Sequence, residues 1–157
     1  MSALEVLSVV SEVYPLIKTG GLADVAGALP GALAQEGVAV RTLVPGYPSV
    51  MAALEKPKAV MKIANLFGRP AKVLSARAAG LDLFVIDAPH LYDRPGNPYQ
   101  DADGAEWPDN PFRFAALAKV AALIGIEGAG GFHPAVVHTH DWQTGLTAAY
   151  LEYDGRK

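Results

Sequence analysis

Residues 4–44 hold two short apolar runs on either side of one helix-like segment, and that order leaves few folds open. Leu4–Val10, "LEVLSVV", contains three valines and no turn residue, so it reads as a strand buried on both faces. Gly21 to about Gln35 reads as a helix, with Leu22, Val25, Ala26, Leu29 and Leu33 on one face at 3.6-residue spacing. Pro30 lies inside that pattern and predicts a kink or break near Ala26, and Gly37 ends the helix. Val38–Val44 is a second strand, closed by the turn signal "PGYP". A β-loop-α-β unit of this kind opens a doubly wound parallel sheet, because two parallel strands need a crossover between them.

The middle of the chain departs from that plan. Lys58–Ile63, Ala71–Ala78 and Leu81–Ile86 read as strands joined by short turns, which predicts an antiparallel excursion. The long segment "DAPHLYDRPGNPYQDADGAEWPDNP" follows, rich in Pro, Gly, Asp and Asn. Its Tyr92, Tyr99 and Trp107 favour an ordered, packed loop, and loops of such length are usually functional or disordered. A helix is expected from about Pro111 to Gly125, capped by Asp109 or Asn110, with Phe112, Ala116, Val120, Leu123 and Ile124 as its apolar stripe. Ala135–His138 reads as another buried strand, ahead of "THDWQ" and a last helix bearing Leu146, Ala149, Tyr150 and Tyr153.

Composition narrows the function classes. Half the residues, 51%, are apolar and only 18% are charged, which suits a layered core. The net charge of −3 argues against nucleic acid as a partner. The absence of cysteine removes disulfides and thiolate metal sites. No apolar run approaches the roughly 18 residues of a membrane helix and there is no basic leader, so no membrane partner is expected and a cytoplasmic location is the default. The sequence ends directly after a helix, "YLEYDGRK", where an α/β sheet would ordinarily continue. The reading therefore expects one domain over 1–157, cut from a longer protein.

Two constellations can carry chemistry. In "KTGG", Gly20 and Gly21 let backbone approach a ligand closely, and the helix that follows offers unpaired N–H groups with about half a positive charge. Lys18 adds a full charge, so the stretch suits a phosphate or diphosphate. It matches neither the dinucleotide fingerprint nor a Walker loop, and a glycine turn with a solvated lysine is the competing reading. In "VVHTHDWQ", His138 and His140 point to one side of a strand, with Asp141 at its C-terminal end, where open α/β sheets bind ligands. A metal pair on the two histidines is one reading, in the manner of a hydrolase. The favoured one has Asp141 bonding substrate hydroxyls and His138 partly structural, with a buried, backbone-satisfied histidine as the bland alternative. The "DAD" triplet Asp101–Asp103 is taken as a solvated turn, and the loop aromatics as sugar-stacking candidates that also serve to pin the loop.

With these motifs in view, the chain resembles the bacterial glycogen synthases and plant starch synthases. "SEVYPLIKTGGLADVAGALP", "DAPHLYDRPGNPY" and "HTHDWQTGL" are similar to three of their signatures, in order and with the family's spacing. The resemblance implies a Rossmann-like α/β domain, the N-terminal half of a two-domain GT-B glycosyltransferase whose C-terminal nucleotide-binding domain is absent. It implies a retaining transfer of glucose from ADP-glucose to the non-reducing 4-hydroxyl of an α-1,4-glucan, with no cofactor and no metal. Carried over, Lys18 and the Gly20–Gly21 turn meet the diphosphate and glucose, and Asp24 helps position that loop. Asp141, the catalytic candidate, binds glucose or acceptor hydroxyls; Tyr99 lines the sugar site; His138 stands beside them. An isolated half could instead be a non-catalytic sugar- or phosphate-binding module.

Overall fold

The computed structural model describes residues 3–155. It is an α/β domain built on one six-stranded sheet. The strands are β1 (Leu4–Val9), β2 (Val38–Pro45), β3 (Glu55–Leu66), β4 (Arg69–Ala78), β5 (Leu81–Asp87) and β6 (Val136–Thr139), in the order β3-β4-β5-β2-β1-β6. β6, β1, β2 and β5 run parallel, while β4 is antiparallel to β5 and to β3. The Rossmann-like plan and the antiparallel excursion are both present. The excursion is narrower than the sequence suggests, since β5 pairs parallel with β2 and belongs to both parts.

Each predicted strand in the first unit lies beside its expected neighbour: Val6 faces Val40 on one side and Val136 on the other. One expectation needs correction. β6, read from the sequence as a buried strand, is the sheet's edge among the described residues, and its pattern is largely exposed.

Helices α1 (Gly21–Ala34) and α4 (Asn110–Glu127) contact the parallel strands. The predicted break in α1 does not occur. Pro30 removes one bond, to the Ala26 carbonyl, but buried Ala23 and Ala26 hold the helix down and it runs unbroken to Ala34. Gly37 follows with φ 76°, as a helix terminator should. Gly27 packs so closely on the preceding loop that a Cβ there would meet the Tyr14 carbonyl at 2.5 Å. Short helices α2 (Pro48–Ala53) and α3 (Pro89–Tyr92) were not apparent in the sequence pattern, being too brief for periodicity.

The buried face of α4 keeps Ala116, Val120 and Ile124 of the predicted stripe and departs from it at the first turn. Phe112 is exposed, and the buried set is Arg113, Phe114, Leu117, Val120 and Ile124 together with the alanines between them. The cause is Arg113, only 1% exposed. Its Nε donates to the Leu91 carbonyl at 2.7 Å, and its Nη1 to the Pro98 carbonyl at 2.8 Å and Asn110 Oδ1 at 2.7 Å. A buried cation is held here by carbonyl dipoles rather than by a carboxylate. Asn110 in turn donates to the Tyr99 carbonyl, and the Tyr92 hydroxyl to the Arg113 carbonyl. Asp109 sits at the N-cap as expected, yet its side chain does not cap: Arg94 takes both its oxygens. Helix α5 (Thr147–Asp154) lies against α4, tied by Lys119 to Asp154, with Leu146 and Tyr153 left exposed.

Arg113→Met leaves three buried carbonyl acceptors without a donor, so chemical unfolding should show a loss of about 3–5 kcal/mol. A loss under roughly 1 kcal/mol would mean the loop is held by its aromatics alone.

Candidate functional site

The two loops predicted to carry chemistry leave the same edge of the sheet. β1 and β6 are parallel partners, Val9 opposite Thr139, and both end there. The His140 N–H extends the ladder to the Val9 carbonyl. Beyond β1 the chain folds into a tight turn, closed by an isolated bridge between Val13 and Ile17, and re-emerges as Lys18–Gly21 at the start of α1. Gly20 is the N-cap, and no side chain caps the helix. Its first N–H groups therefore point outward with their partial positive charge.

Lys18 is paired with the Asp24 carboxylate and donates to the Gly20 carbonyl at 3.3 Å. Asp24 thus positions the lysine directly, one turn into the helix it belongs to. Thr19 is anchored from below. Its N–H and hydroxyl both donate to Glu12 Oε2, at 2.6 and 2.7 Å. Neighbouring Ser11 receives Tyr99: the two hydroxyls lie 2.8 Å apart. The Tyr47 hydroxyl donates to the Ser11 carbonyl. Burial, reinforced by the charges of Glu12 and Asp141, pushes the Tyr99 phenol's pKa up, against the opposing bonds to Ser11 and Thr19. Tyr99 thus ties the long loop to the end of β1 through Ser11.

Asp141 follows β6 with φ 64° and ψ −178°, a region that only glycine enters freely. Its Oδ1 accepts from the Trp142 N–H at 2.8 Å, and the Thr144 hydroxyl donates to the carbonyls of His140 and Asp141. The carboxylate is exposed. His138 and His140 share one side, as the strand spacing predicts, with ring centroids 4.2 Å apart. His138 is exposed, so the buried, backbone-satisfied role does not apply to it. His140 is the anchored member, its Nε2 3.1 Å from Ser8 Oγ. Burial, with the adjacent His138, lowers the His140 pKa below its usual 6.5. Among the described residues no group of three His, Asp or Glu side chains is placed to hold a metal. Asp101 bonds the N–H groups of Asp103 and Ala105, the turn expected for "DAD".

Trp142 stands with Asp141 at the strand end but is given no role by sequence, and some other residues here are given none either. Trp142 is 65% exposed and forms a groove of about 510 Å³ with Tyr99, Trp107, Asn110 and Pro111. Phe114 braces it, edge-on to Trp142 at 5.4 Å and tilted against Tyr99 at 5.8 Å. Trp142 stood in plain view after Asp141, and its exposure is what distinguishes it. Ser11 and Glu12 open the first quoted motif, but their role is not legible there, since it depends on contacts made only in the fold.

The strain at Asp141 can be measured apart from its carboxylate. Asp141→Gly and Asp141→Ala both remove the side chain's bond, but only glycine relaxes at positive φ. Thermal or chemical unfolding should find the glycine variant more stable than the alanine variant by about 1 kcal/mol or more. Equal stabilities would show that the backbone there is unstrained.

Comparison with known proteins agrees with this geometry. Residues 5–157 match the family model described as the starch synthase catalytic domain. A glycogen synthase from Methylocella silvestris is 64% identical over 157 residues, covering 100% of this chain and 32% of the relative. One from Rhodopseudomonas palustris is 62% identical over 156 residues, 99% of this chain and 32% of the relative. The chain spans about a third of the length of these relatives. Among solved structures, the catalytic domain of starch synthase IV from Arabidopsis thaliana, bound to ADP and acarbose, superposes with a TM-score of 0.75 at 26% identity. That match covers 98% of this chain and 32% of the plant chain. With its motifs in order, its sheet matched and its relatives this similar, the chain belongs to the starch synthase catalytic domain family.

Proposed function

We propose that this domain forms the N-terminal wall of the cleft of a glycogen synthase. The parent transfers glucose from ADP-glucose to the non-reducing 4-hydroxyl of an α-1,4-glucan, with retention, and a second domain supplies the opposite wall. The observation that carries this reading is the placement of Lys18 and the uncapped start of α1 at the sheet edge where Asp141 also lies. The relatives' names and the Arabidopsis complex with ADP and acarbose support a nucleotide diphosphate and a glucan as the occupants.

The chemistry follows from charge. When the glycosidic bond to ADP breaks, negative charge grows on the diphosphate. The N–H groups of Gly20–Gly21 and the helix dipole answer that charge without reorganising. An ammonium has three protons; Asp24 and the Gly20 carbonyl take two of those on Lys18, which leaves one for a phosphate oxygen. Asp141 bonds sugar hydroxyls, and its strained backbone holds the carboxylate at the strand end. Tyr99 and Trp142 offer stacking faces to successive glucose rings. None of these groups is a convincing nucleophile toward the anomeric carbon, which suits a front-face, ion-pair-like substitution. His138 lines the same edge as a polar neighbour. Among its described residues no helix is long and apolar enough to cross a membrane. A cytoplasmic location of the parent is part of the same proposal.

A non-catalytic sugar- or phosphate-binding role is the second reading, favoured by the fact that one wall carries only part of the charge. Kinetics in the full-length parent separate the two. Lys18→Ala should lower kcat/KM for ADP-glucose by about 10- to 150-fold, the loss of a charge-assisted contact worth roughly 1.5–3 kcal/mol. Lys18→Arg should be milder, and the apparent affinity for the uncharged glucan should move far less. The 157-residue chain alone should transfer no measurable glucose. Damage confined to glucan binding would move Lys18 to the acceptor side, and turnover by the isolated chain would refute the division of labour.

A further inference from the structure

Glu12 is a buried carboxylate that no part of the mechanism above uses. It is 2% exposed and takes part in none of the ion pairs among the described residues. A buried carboxylate without a cation is costly unless donors surround it. The donors here come from one residue: the Thr19 N–H and hydroxyl converge on the same oxygen, Oε2. The sequence separation is seven residues, and the turn closed by Val13 and Ile17 returns the chain over its own starting point.

We infer that Glu12 is a positioning residue for the diphosphate, acting through Thr19. A carboxylate only accepts. It therefore draws both Thr19 donors downward, into the domain, and removes them from the set that can meet a ligand. With Thr19 fixed, the next N–H groups, those of Gly20 and Gly21, turn outward at the mouth of α1. Two glycines have no side chain to hold them in place, and a Cβ at either would meet nothing within 4 Å. Apart from the Lys18 ammonium on the Gly20 carbonyl, the loop's geometry must then be imposed from its ends. Helix α1 fixes the far end, and the Glu12–Thr19 grip fixes the near one. Adjacent Ser11 carries Tyr99, so the same two residues at the end of β1 set both the diphosphate loop and the sugar-facing phenol.

This inference rests on the proposed glucosyltransferase reading, and the test tells the two apart. In the full-length parent, kcat/KM is measured with ADP-glucose and with glycogen varied in turn, for Glu12→Ala, Glu12→Gln, Thr19→Val and the paired variants. Glu12→Ala should lower kcat/KM for ADP-glucose about tenfold or more. Glu12→Gln, which still accepts the Thr19 N–H, should recover part of that loss. The glycogen KM should change by less than about twofold in each. Thr19→Val should cost severalfold alone but add less than about twofold on the Glu12→Ala background, because the link is already cut there. If Glu12→Ala does not fold, Glu12→Gln and Thr19→Val singly keep the test: each should lower kcat/KM for ADP-glucose while the glycogen KM stays within about twofold. Donor kinetics within about twofold of wild type in the Glu12 variants, equal losses for donor and glycogen, or losses that multiply between the two positions would each overturn the inference. An unmutated parent that does not use ADP-glucose would overturn the glucosyltransferase reading, and this inference with it.

Discussion

β1 is hydrogen-bonded along both sides, to β2 and to β6, and all three strands point the same way. Parallel pairing is what brings distant loops together here. The β1–α1 loop and the loop after β6 are separated by more than a hundred residues, yet each begins where its strand leaves the same edge of the sheet. Had β6 paired antiparallel, Asp141 would start from the opposite edge, away from Lys18. The placement of Lys18 and Asp141 at one edge is thus a consequence of strand direction before it is a consequence of any side chain.

The long connection between β5 and α4 depends on a different device. A loop of this length, rich in proline and glycine, pays ordering entropy with few backbone bonds of its own. Arg113 compensates by offering buried donors to carbonyls at Leu91 and Pro98, and Arg94 grips Asp109 while lying over the Trp107 ring at 4.9 Å. The result is that Tyr99 arrives at Ser11 with a fixed hydroxyl. Both arginines look like ordinary surface charges in the sequence. Their function as internal donors appears only once the loop carbonyls they satisfy are known.

Much of the frame was legible because it rests on local pattern. The valine-rich runs marked β1 and β2, the glycine pair marked the start of α1, and "HTHDWQ" marked the end of β6. Tertiary contacts decided the rest. Ala116, Val120 and Ile124 of the expected α4 stripe are buried, but in the first turn Arg113 goes inside and Phe112 is exposed. The β3–β4 hairpin runs longer than its apolar segments, since polar residues continue the ladder on exposed faces. A buried His138 is the bland alternative for a strand that reads as buried, and the residue is exposed because β6 lies at the edge among the described residues. Lys18, Gly20, Gly21 and Asp141 could be named from spacing and motif. Glu12 could not, because a glutamate following an apolar strand ordinarily reads as a solvated strand end.

The site concentrates features that a purely stable fold would avoid: an uncapped helix, a carboxylate without a cation, and an aspartate in a backbone region suited to glycine. Each has its use if a diphosphate and a sugar occupy the edge where they meet. The most direct test is a crystal structure of the full-length parent with ADP-glucose bound. The account predicts diphosphate oxygens within about 3 Å of the Gly20 or Gly21 N–H groups and of Lys18 Nζ, with glucose hydroxyls at the same sheet edge as Asp141. A diphosphate bound elsewhere, with the start of α1 and Lys18 still facing water, would contradict it.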